Sequence, residues 1–550
     1  MAKRKASELF VDCLEAEGTR HVFGIPGEET LDLNESLEDS SITFVPVRHE
    51  QGGAYMADMY GRLTQRAGVC LGTLGPGATN LVTGVADAFL DRSPLVALTG
   101  QADLERMHKE SHQHIDVVSM MRPLTKWNVR LQSARVIPEV VRKAFKVAQA
   151  QKPGPTHIEL PEDVMADLVD AEPLPAPAHE RRPEPSRGEL LEAASVIRSA
   201  EQPIVLAGNG VARVGAAAAL RGFARTTGIG VAETFMGKGL LDYEDPRALG
   251  TVGLQSRDYA LAGFEDADVV ITVGYDLVEH APANWNPRGD KKIVCIDTAA
   301  AEVDEHFITE IDLVGDIDLI LSRLTEELRD GGWGEDGSSS RLNAIVLGRF
   351  EAGRADDAFP VQPPRALWEI RQALGPQDML VSDVGLHKLW IARMFPAHEP
   401  DTVFIANGLA GMGIALPTAI AAKLVHPERN VVTVNGDGGF LMNVQELETA
   451  VRLGTSIVNV IWENRQYGSI VWKQDKKFGR HFGTDFGNPD FVALAAAFGM
   501  PAWRIEAVDE FGPTLRRALD LDVPSLIVLP IDYSLDVAIS EELGTETVAA

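Results

Sequence analysis

Short apolar runs alternate with amphipathic stretches along most of the chain. Residues 431–434 and 457–462 are apolar and rich in β-branched side chains, as buried parallel strands are. Between them, residues 443–453 carry apolar side chains at helical spacing. A strand, a helix and a second strand in this order predict a βαβ unit. Because the pattern recurs, we predict an α/β protein built from doubly wound parallel sheets.

Two segments of different composition separate three such regions. Residues 170–187 contain five prolines, including Pro177, and residues 330–364 are rich in Gly, Ser and Asp with a helical patch at 342–349. We interpret both as linkers, and we expect a frayed tail after residue 541. The predicted domains are residues 1–170, 188–328 and 365–540. The predicted strands of the first two are residues 21–24, 43–47, 69–73, 94–99, 204–207, 230–232, 269–273 and 293–296.

The 550-residue chain has a net charge of −29, and its acidic residues are scattered. This charge argues against nucleic acid or an anionic membrane as a partner. Cys13, Cys70 and Cys295 lie far apart without metal-binding spacing, which favours a reducing compartment. The N-terminal stretch predicts an amphipathic helix instead of a signal peptide, and no apolar run approaches the ~18 residues of a membrane span. We therefore expect a cytoplasmic protein.

The strongest chemical signal lies in residues 431–471. The turn Gly436-Asp437-Gly438-Gly439 follows the first strand of the βαβ unit, and Asn464 follows the second. Open α/β sheets bind ligands at the carboxyl ends of their strands. Carboxylate and amide oxygens suit Mg²⁺, and glycines let backbone N–H groups approach an anion. The pattern predicts a metal-bridged diphosphate site, and a glycine-rich turn with a capping aspartate is the simpler alternative.

The sequence GDG, followed by twenty-five residues and an asparagine, resembles the thiamine-diphosphate-binding motif of the thiamine-dependent decarboxylases and carboligases. The usual Asn-Asn ending of that motif is Glu463-Asn464 here. The resemblance covers nearly the whole chain, in the order pyrimidine-binding, central and diphosphate-binding domain. It is closest to the acetolactate synthases, through residues 75–81, 123–126 and 446–453.

The resemblance implies a set of ligand-binding residues. Asp437, Asn464 and Gln466 would bind Mg²⁺. Met412 would wedge between the two rings of the cofactor, and the carbonyl of Ala410 would accept from its exocyclic amine. The other implied contacts of thiamine diphosphate are Glu50, Gly27, Pro76, Asn80, His387, Gly436, Asp437, Gly438, Gly439, Asn464 and Tyr467. Leu386 stands where these synthases usually have Gln, and a histidine on a surface helix is the alternative for His387.

Three polar residues are candidates for catalysis. From position alone, Glu50 is either catalytic or a helix N-terminal residue. The segment Arg48-His49-Glu50-Gln51-Gly52 resembles the one that carries the family's activating glutamate. The resemblance implies that Glu50 hydrogen-bonds the pyrimidine ring and assists proton removal from the thiazolium. His112 and Gln113, in a predicted loop, would bind the substrate carboxylate or a developing alkoxide; solvent-exposed side chains are the alternative.

The central domain bears on a flavin. Gly208-Asn209-Gly210 follows a strand, but Arg213 stands where the G-x-G-x-x-G fingerprint needs glycine, so a nicotinamide dehydrogenase is not expected. Residues 275–285 resemble the flavin-free catabolic enzymes, and so does His112-Gln113. FAD is therefore considered but not favoured, although residues 51–53 and 442–445 resemble the biosynthetic enzymes more.

The implied reaction is decarboxylation of pyruvate and carboligation to a second pyruvate, giving 2-acetolactate. Lys473, with Trp472 beside it, stands where biosynthetic enzymes place a tryptophan that favours 2-oxobutanoate, so pyruvate is the expected acceptor. The alternatives are a non-ligating 2-oxoacid decarboxylase, a flavin-dependent pyruvate oxidase, a biosynthetic acetohydroxyacid synthase and a non-enzymatic homologue. In the family, Glu50 of one subunit meets the Asp437 site of its partner, which implies a homodimer at least, and commonly a homotetramer.

Overall fold

The structure is a computed structural model, and it describes residues 3–175, 182–253, 259–330, 332–333 and 337–534. Three six-stranded sheets, in each of which every strand pair is parallel, form its framework. Helices flank each sheet, so the predicted α/β class and the doubly wound parallel sheets are confirmed.

The first sheet uses strands from the first third of the chain. The strands of this region are β1 (Arg4–Lys5), β2 (His21–Gly24), β3 (Thr43–Pro46), β4 (Gly68–Gly72), β5 (Leu95–Gln101), β6 (Trp127–Arg130), β7 (Pro155–Pro161) and β8 (Leu168–Val169). The helices are α1 (Ala6–Ala16), α2 (Leu31–Glu38), α3 (Glu50–Thr64), α4 (Pro76–Leu90), α5 (Val117–Met121), α6 (Ile137–Gln149) and α7 (Glu162–Ala166). The order of the sheet is β3-β2-β4-β5-β7-β6, while β1 and β8 form a separate antiparallel pair.

The central sheet has the order β11-β10-β9-β12-β13-β14. Its strands are β9 (Pro203–Ala207), β10 (Gly230–Glu233), β11 (Ala248–Thr251), β12 (Val269–Val273), β13 (Lys292–Asp297) and β14 (Ile311–Val314). The helices of this region are α8 (Arg187–Arg198), α9 (Asn209–Arg213), α10 (Ala217–Thr227), α11 (Tyr259–Asp266), α12 (Pro282–Trp285) and α13 (Ile317–Glu327).

The last sheet has the order β16-β15-β17-β18-β20-β19. Its strands are β15 (Met379–Ser382), β16 (Val403–Ile405), β17 (Val431–Gly436), β18 (Ile457–Glu463), β19 (Ala502–Arg504) and β20 (Ser525–Pro530). The helices of this region are α14 (Gly337–Ala352), α15 (Pro363–Ala373), α16 (Leu386–Met394), α17 (Ala415–Val425), α18 (Asp437–Phe440), α19 (Glu446–Leu453), α20 (Gly468–Phe478), α21 (Phe491–Ala497) and α22 (Val508–Leu519).

The chain divides into two compact units. The first unit comprises Met1–Glu180, Gly408–Glu428 and Met442–Thr455. Helices α17 and α19 therefore belong to the first unit, where α17 packs against α3. The second unit comprises Arg181–Asn407, Arg429–Leu441 and Ser456–Ala550, and it contains the central and last sheets.

The central sheet shows why its strands are apolar throughout. Val205 and Ala207 of β9 point into one apolar core, and Ile204 and Leu206 point into another. Because successive side chains of a strand face opposite sides, both faces of this sheet are buried. Helix α10 covers the first face with side chains such as Phe223. Burial of both faces is typical of parallel sheets between helices.

The strands that the sequence did not reveal are mainly edge strands. β6, β11, β14 and β19 each end their sheet, so they pair on one side only. β6 and β19 have no fully buried residue, and their composition lacks the apolar run of an inner strand. The inner strand β7 was hidden for another reason, since it begins and ends with proline and alternates with the polar residues His157 and Glu159.

Three predicted local features need correction. The turn at residues 436–439 is the start of the one-turn helix α18, with Gly436 as N-cap and Asp437 in the first turn. The helix expected from residue 443 begins at Glu446, after a turn closed by the bond from the Glu446 N–H to the Asn443 carbonyl. The helical patch at 342–349 is part of the longer α14, whose Phe350 is buried in the core of the last sheet. Pro177 and the tail after residue 541 lie outside the described residues.

In the described part of the chain, no helix combines the length and the apolar character that crossing a bilayer requires.

Candidate active site

Glu50 is the first residue of α3 and is buried in the first unit. The side chain of Asn80, on α4, donates from Nδ2 to Glu50 Oε2 at 2.9 Å. Gly77, on the first turn of α4, faces Glu50 Oε1 with no side chain of its own. Glu50 and Asn80, each predicted as a cofactor contact, therefore meet, and the amide holds the carboxylate in one orientation.

A second buried carboxylate, Glu446 of α19, fixes the turn before Glu50. Glu446 Oε1 accepts from the backbone N–H groups of Arg48 at 3.1 Å and His49 at 3.0 Å. Thr449 donates to Glu446 Oε2 at 2.7 Å. Burial raises the pKa of Glu446, while the hydrogen bonds from Thr449, Arg48 and His49 act to lower it. Glu446 is thus placed to position the backbone that carries Glu50.

Gly27 and Pro76 follow the neighbouring strands β2 and β4 at the same edge of the first sheet. The Gly27 N–H donates to Thr30 Oγ1 at 2.9 Å, and a side chain at Gly27 would overlap Thr73. Pro76 is the first residue of α4. Glu50 follows β3, which pairs with β2, so the structure brings these predicted contacts to one edge.

His112 and Gln113 lie in a turn, as the sequence predicts, and both side chains are exposed, as the alternative interpretation expects. The next residue holds this turn in place, since His114 Nδ1 and Gln101 Oε1 are 3.1 Å apart. Gln101 in turn donates to the buried Glu159 at 2.8 Å. A Cβ on Gly75 would lie 2.7 Å from the Gln113 carbonyl oxygen, so the turn adjoins the start of α4.

Ala410 and Met412 lie in the glycine-rich segment before α17, in the first unit. Both residues are partly buried. Ala410 has a φ of +57°, which places a non-glycine residue in the left-handed region. This conformation sets the direction of the Ala410 carbonyl, the group that the resemblance assigns to cofactor binding.

Asp437 is buried in the second unit, at the carboxyl end of β17. Its Oδ1 accepts from the Gly438 N–H at 2.9 Å, and its Oδ2 accepts from the Arg465 N–H at 2.6 Å. Among the described residues, no lysine or arginine forms an ion pair with Asp437; Arg465 and Arg504 pair with Glu463. A buried carboxylate without a cationic partner is costly, so this position fits a metal ion.

The other predicted metal ligands follow the neighbouring strand β18. The Asn464 N–H donates to Asp437 Oδ2 at 3.2 Å. Gln466 donates from Nε2 to Asp485 at 2.7 Å, which leaves its amide oxygen as the potential ligand. Within the described ranges, no group of three or more His, Cys, Asp or Glu is arranged for metal binding. A metal at Asp437 would therefore depend on amide oxygens, which suits Mg²⁺.

Tyr467 and His387 line the same strand edge. Tyr467 is 38% exposed and packs on Phe486, with ring centroids 4.8 Å apart. His387 of α16 is buried, so the surface-helix alternative is wrong. Burial lowers the pKa of His387 to about 4, and its Nε2 has no hydrogen-bond partner in the described part of the chain. The ring edge that faces Gly436 carries Cε1 and Nδ1, so the imidazole adjoins the start of the 436–439 turn, and Nε2 is the nitrogen left for a ligand contact.

Gly439 is required by close packing. A Cβ on Gly439 would overlap the carboxylate of Asp383, which follows β15. Any larger residue would push the 436–439 turn away from the strand edge. The glycine therefore keeps the turn, and with it Asp437, close to β15.

Asn488 is a site residue that the sequence did not reveal. Its Nδ2 donates to Asp437 Oδ2 at 2.9 Å and to Glu463 Oε1 at 3.2 Å. Glu463, the departure from the usual Asn-Asn ending, also forms an ion pair with Arg504. Asn488 lies 51 residues after Asp437 in a Gly-Asn-Pro-Asp loop, and no periodic or motif signal marks it.

Comparisons with known proteins agree with this geometry. Residues 4–120 match the model of the N-terminal TPP binding domain of thiamine pyrophosphate enzymes, residues 190–324 the central domain, and residues 383–529 the C-terminal TPP binding domain. Acetolactate synthase of Bacillus subtilis is 34% identical over 98% of this chain and 96% of its own length. The catabolic acetolactate synthase of Raoultella terrigena is 36% identical, over 96% and 95%. The large subunit of acetolactate synthase isozyme 2 of Escherichia coli is 31% identical, also over 96% and 95%.

The chain belongs to the thiamine pyrophosphate enzymes, and within them to the acetolactate synthases. The resemblance stated from the sequence is confirmed, and so is the assignment of an enzyme dependent on thiamine diphosphate. Relatives include both an enzyme named as catabolic and enzymes named as large subunits of acetolactate synthases.

Proposed function

We propose that the chain is a flavin-free acetolactate synthase that uses thiamine diphosphate and Mg²⁺. One pyruvate loses CO₂, and the remaining two-carbon unit joins a second pyruvate to give 2-acetolactate. The catabolic relative from Raoultella terrigena supports this reaction. Lys473, beside Trp472, supports pyruvate instead of 2-oxobutanoate as the acceptor.

Asp437 carries this proposal. Its buried carboxylate has hydrogen-bond donors around it, and none of the lysines and arginines that the structure describes forms an ion pair with it. Mg²⁺ at this position would be held by Asp437 and by the oxygens of Asn464 and Gln466. The backbone N–H groups of the 436–439 turn would bind the diphosphate. The remaining proposed cofactor contacts are Gly27, Pro76, Asn80, His387, Ala410, Met412 and Tyr467.

The chain's own side chains have separate tasks in this reaction. When bound, thiamine diphosphate supplies the sink for the electron pair that remains as CO₂ leaves. Glu50 would share a proton with the pyrimidine ring nitrogen of the bound cofactor, and Asn80 keeps the Glu50 carboxylate oriented. His112 and Gln113 donate hydrogen bonds to the pyruvate carboxylate or to the developing alkoxide, and their exposure leaves them accessible to substrate.

The absence of flavin is part of the proposal, and Glu279 supports it. Glu279 is buried, and both of its carboxylate oxygens accept a hydrogen bond from the Asn209 backbone N–H, at 3.2 Å from the nitrogen. Asn209 begins α9 directly after β9 and Gly208. In dinucleotide-binding folds, the N–H groups of this strand-to-helix turn bind the diphosphate. Glu279 takes the N–H that a flavin diphosphate would need, and its negative form would repel the phosphate.

A homodimer at least, and a homotetramer by family resemblance, is also proposed. Helix α20, which begins four residues after Asn464, has no fully buried residue. Ile470 is 47% exposed, Phe478 64% and Phe482 83%. An apolar surface of this kind beside a ligand site marks an interaction surface, and a second copy of the chain is the occupant we propose.

The domain limits of 1–170, 188–328 and 365–540 are proposed from the two linkers. A cytoplasmic location is proposed from the sparse, widely spaced cysteines.

A spectrum and a product assay test the proposal. The purified protein is first examined for the visible absorbance of oxidised flavin, and then incubated with thiamine diphosphate, Mg²⁺ and pyruvate. Acetolactate is detected as acetoin that forms only after acid treatment. We expect acetoin and no flavin band. Aldehyde without acetolactate would indicate a non-ligating decarboxylase, and acetyl phosphate with peroxide would indicate a pyruvate oxidase.

The acetolactate synthase large subunits among the relatives make a second reaction, that of a biosynthetic acetohydroxyacid synthase, worth testing in the same assay. An equimolar mixture of pyruvate and 2-oxobutanoate distinguishes the two acceptors. We expect 2-acetolactate to be the main product. A preference for the 2-oxobutanoate product, or a flavin band in the spectrum, would move the chain to the biosynthetic group.

A further inference from the structure

We propose that Asp91 and Asn443 are positioning residues that hold the segment Gly408–Gly413 at both ends and so keep Ala410 in its left-handed conformation. The inference rests on the proposed function, because it concerns the carbonyl of Ala410 that would contact the cofactor. All of these residues belong to the first unit.

The Gly408 end is held by a buried carboxylate. Asp91, the C-cap of α4, accepts from the Gly408 backbone N–H at 2.7 Å through Oδ1. Asp91 is 1% exposed, and Arg62 lies 3.7 Å from its Oδ2. A Cβ on Gly408 would come within 2.7 Å of Asp91 Oδ1, so the backbone itself is pressed against the carboxylate. A short hydrogen bond to a buried carboxylate oxygen is a strong anchor.

The Gly413 end is held by a buried amide. Asn443 is 1% exposed and donates from Nδ2 to the Gly413 carbonyl oxygen at 2.9 Å. Asn443 is itself fixed, because its Oδ1 accepts from Gln445 at 3.1 Å and its carbonyl accepts from the Glu446 N–H at 3.0 Å. The anchor therefore belongs to the turn that leads into α19.

Between the anchors the chain is strained. Ala410 has a φ of +57°, a conformation that an L-residue with a Cβ adopts only at a cost. The neighbouring Gly411 packs against Tyr55, and a Cβ there would overlap the Tyr55 hydroxyl oxygen. A strained residue keeps its conformation only where the surroundings over-determine it. Asp91, Asn443 and Tyr55 are those surroundings.

A consequence for cofactor affinity follows. If only part of the molecules hold the segment in its binding conformation, the apparent affinity falls by that fraction. With both anchors intact, the strain at Ala410 has no effect on affinity, because the segment is already in place. When one anchor is removed, the strain at Ala410 favours other conformations of the segment. Replacing Ala410 by glycine removes this strain and restores the binding conformation.

The test is a double-mutant cycle of Asn443→Ala and Ala410→Gly in the full-length protein. Thiamine diphosphate binding to the apo protein is measured by calorimetry in saturating Mg²⁺. We expect Asn443→Ala to raise Kd about tenfold, as the loss of one buried hydrogen bond does. Ala410→Gly keeps the backbone carbonyl that would contact the cofactor, so the test is its coupling to Asn443→Ala. We expect Ala410→Gly to lower Kd about fivefold in the Asn443→Ala background and not to lower it in the wild-type background. Asp91→Asn retains an oxygen acceptor without the carboxylate's charge, so it should raise Kd less than Asn443→Ala does. Ala410→Gly should restore binding in this variant as well.

A matched control separates positioning from stability. Asn459 is also a fully buried asparagine whose Nδ2 donates to a backbone carbonyl, that of Ser525 at 3.3 Å. Asn459→Ala should lower the melting temperature of the apo protein but leave Kd unchanged. Equal effects of Asn443→Ala and Asn459→Ala on Kd would overturn the proposal, and so would additivity of the two substitutions in the cycle.

Hydrogen exchange of the apo protein gives a readout that is independent of the cofactor. Asn443→Ala should speed exchange in peptides that contain residues 408–413, and Asn459→Ala should not. Unchanged exchange would overturn the inference even if the cofactor binds normally. Faster exchange in a protein whose wild type does not bind thiamine diphosphate would instead overturn the proposed function, together with the assigned effect on binding.

Discussion

Glu446 offers the sharpest test of how the turn before Glu50 is held. In Glu446→Ala, the backbone N–H groups of Arg48 and His49 lose their acceptor. An unsatisfied buried donor costs about 1–3 kcal/mol, and water can reach part of this turn, so we expect a loss of about 3 kcal/mol in the free energy of unfolding. In Glu446→Gln, the amide oxygen can still accept from both N–H groups, and Nε2 can donate to Thr449. We therefore expect the free energy of unfolding of the Gln variant to be within about 1 kcal/mol of the wild-type value.

Thermal and urea unfolding of both variants give the stability difference, and turnover with pyruvate gives the functional one. Because Glu50 directly follows the turn, turnover should fall more than tenfold in Glu446→Ala and less than about threefold in Glu446→Gln. Glu448 is the matched control on the same helix. It is partly exposed and pairs with Arg452 at 3.0 Å, so Glu448→Ala should cost less than about 0.5 kcal/mol.

Two results would refute this reasoning. If Glu446→Ala were as stable and as active as Glu448→Ala, the carboxylate would not hold the turn. If Glu446→Gln were as damaged as Glu446→Ala, the negative charge would matter more than the hydrogen bonds to Arg48 and His49.

Three further predictions concern the proposed site and the central sheet. Glu50→Gln should bind thiamine diphosphate normally in calorimetry yet lose at least about a hundredfold in turnover, and near-normal turnover would contradict the proton-sharing role. Asp437→Asn should lose the rise in melting temperature that Mg²⁺ and thiamine diphosphate give the wild type, and EDTA should abolish that rise in the wild type; a variant still stabilised by the pair would contradict the metal assignment. Burial raises the pKa of Glu279 from 4.5 to about 7, so stability is fully present below pH 4.5 and is lost as the pH rises through 7. Glu279→Gln should remove this loss. Between pH 4.5 and pH 8, the free energy of unfolding of the variant in urea should therefore rise by about 3 kcal/mol relative to that of the wild type. Parallel pH profiles of the two proteins would show that Glu279 does not ionise within this window.

The sequence could reveal those parts of the site that lie on consecutive strands. Asp437 and Asn464 end the consecutive strands β17 and β18, which are neighbours in the sheet. Their proximity follows from the rule that parallel strands end at a common edge. The same rule placed Glu50 after a strand of the first sheet. The edge strands β6 and β19 could not be predicted, because partial burial gives them no continuous apolar run.

The parts that could not be predicted depend on contacts between distant residues. Glu446 and Arg48 are 398 residues apart, and Asp91 and Gly408 are 317 apart. Such contacts arise from how helices pack once the sheets have formed, and neither periodicity nor local motif encodes them. Glu446 and Asp91 each look, in sequence, like the polar side of a helix. Only the structure shows that both carboxylates are buried and accept hydrogen bonds from backbone N–H groups.

One physical device recurs at several glycine-rich or turn segments in the described part of this enzyme. Glu446, Asp91, Glu279 and Asp437 are buried carboxylates that accept from backbone N–H groups of chain outside regular helix or at a helix start. Turns lack the internal hydrogen bonds of helices and strands, so a buried acceptor fixes them where their own backbone cannot. At Glu446, Asp91 and Glu279, an amide oxygen can serve the same N–H groups. At Asp437, a neutral side chain would keep the turn but lose the attraction for a metal ion, so the negative charge itself has a function there.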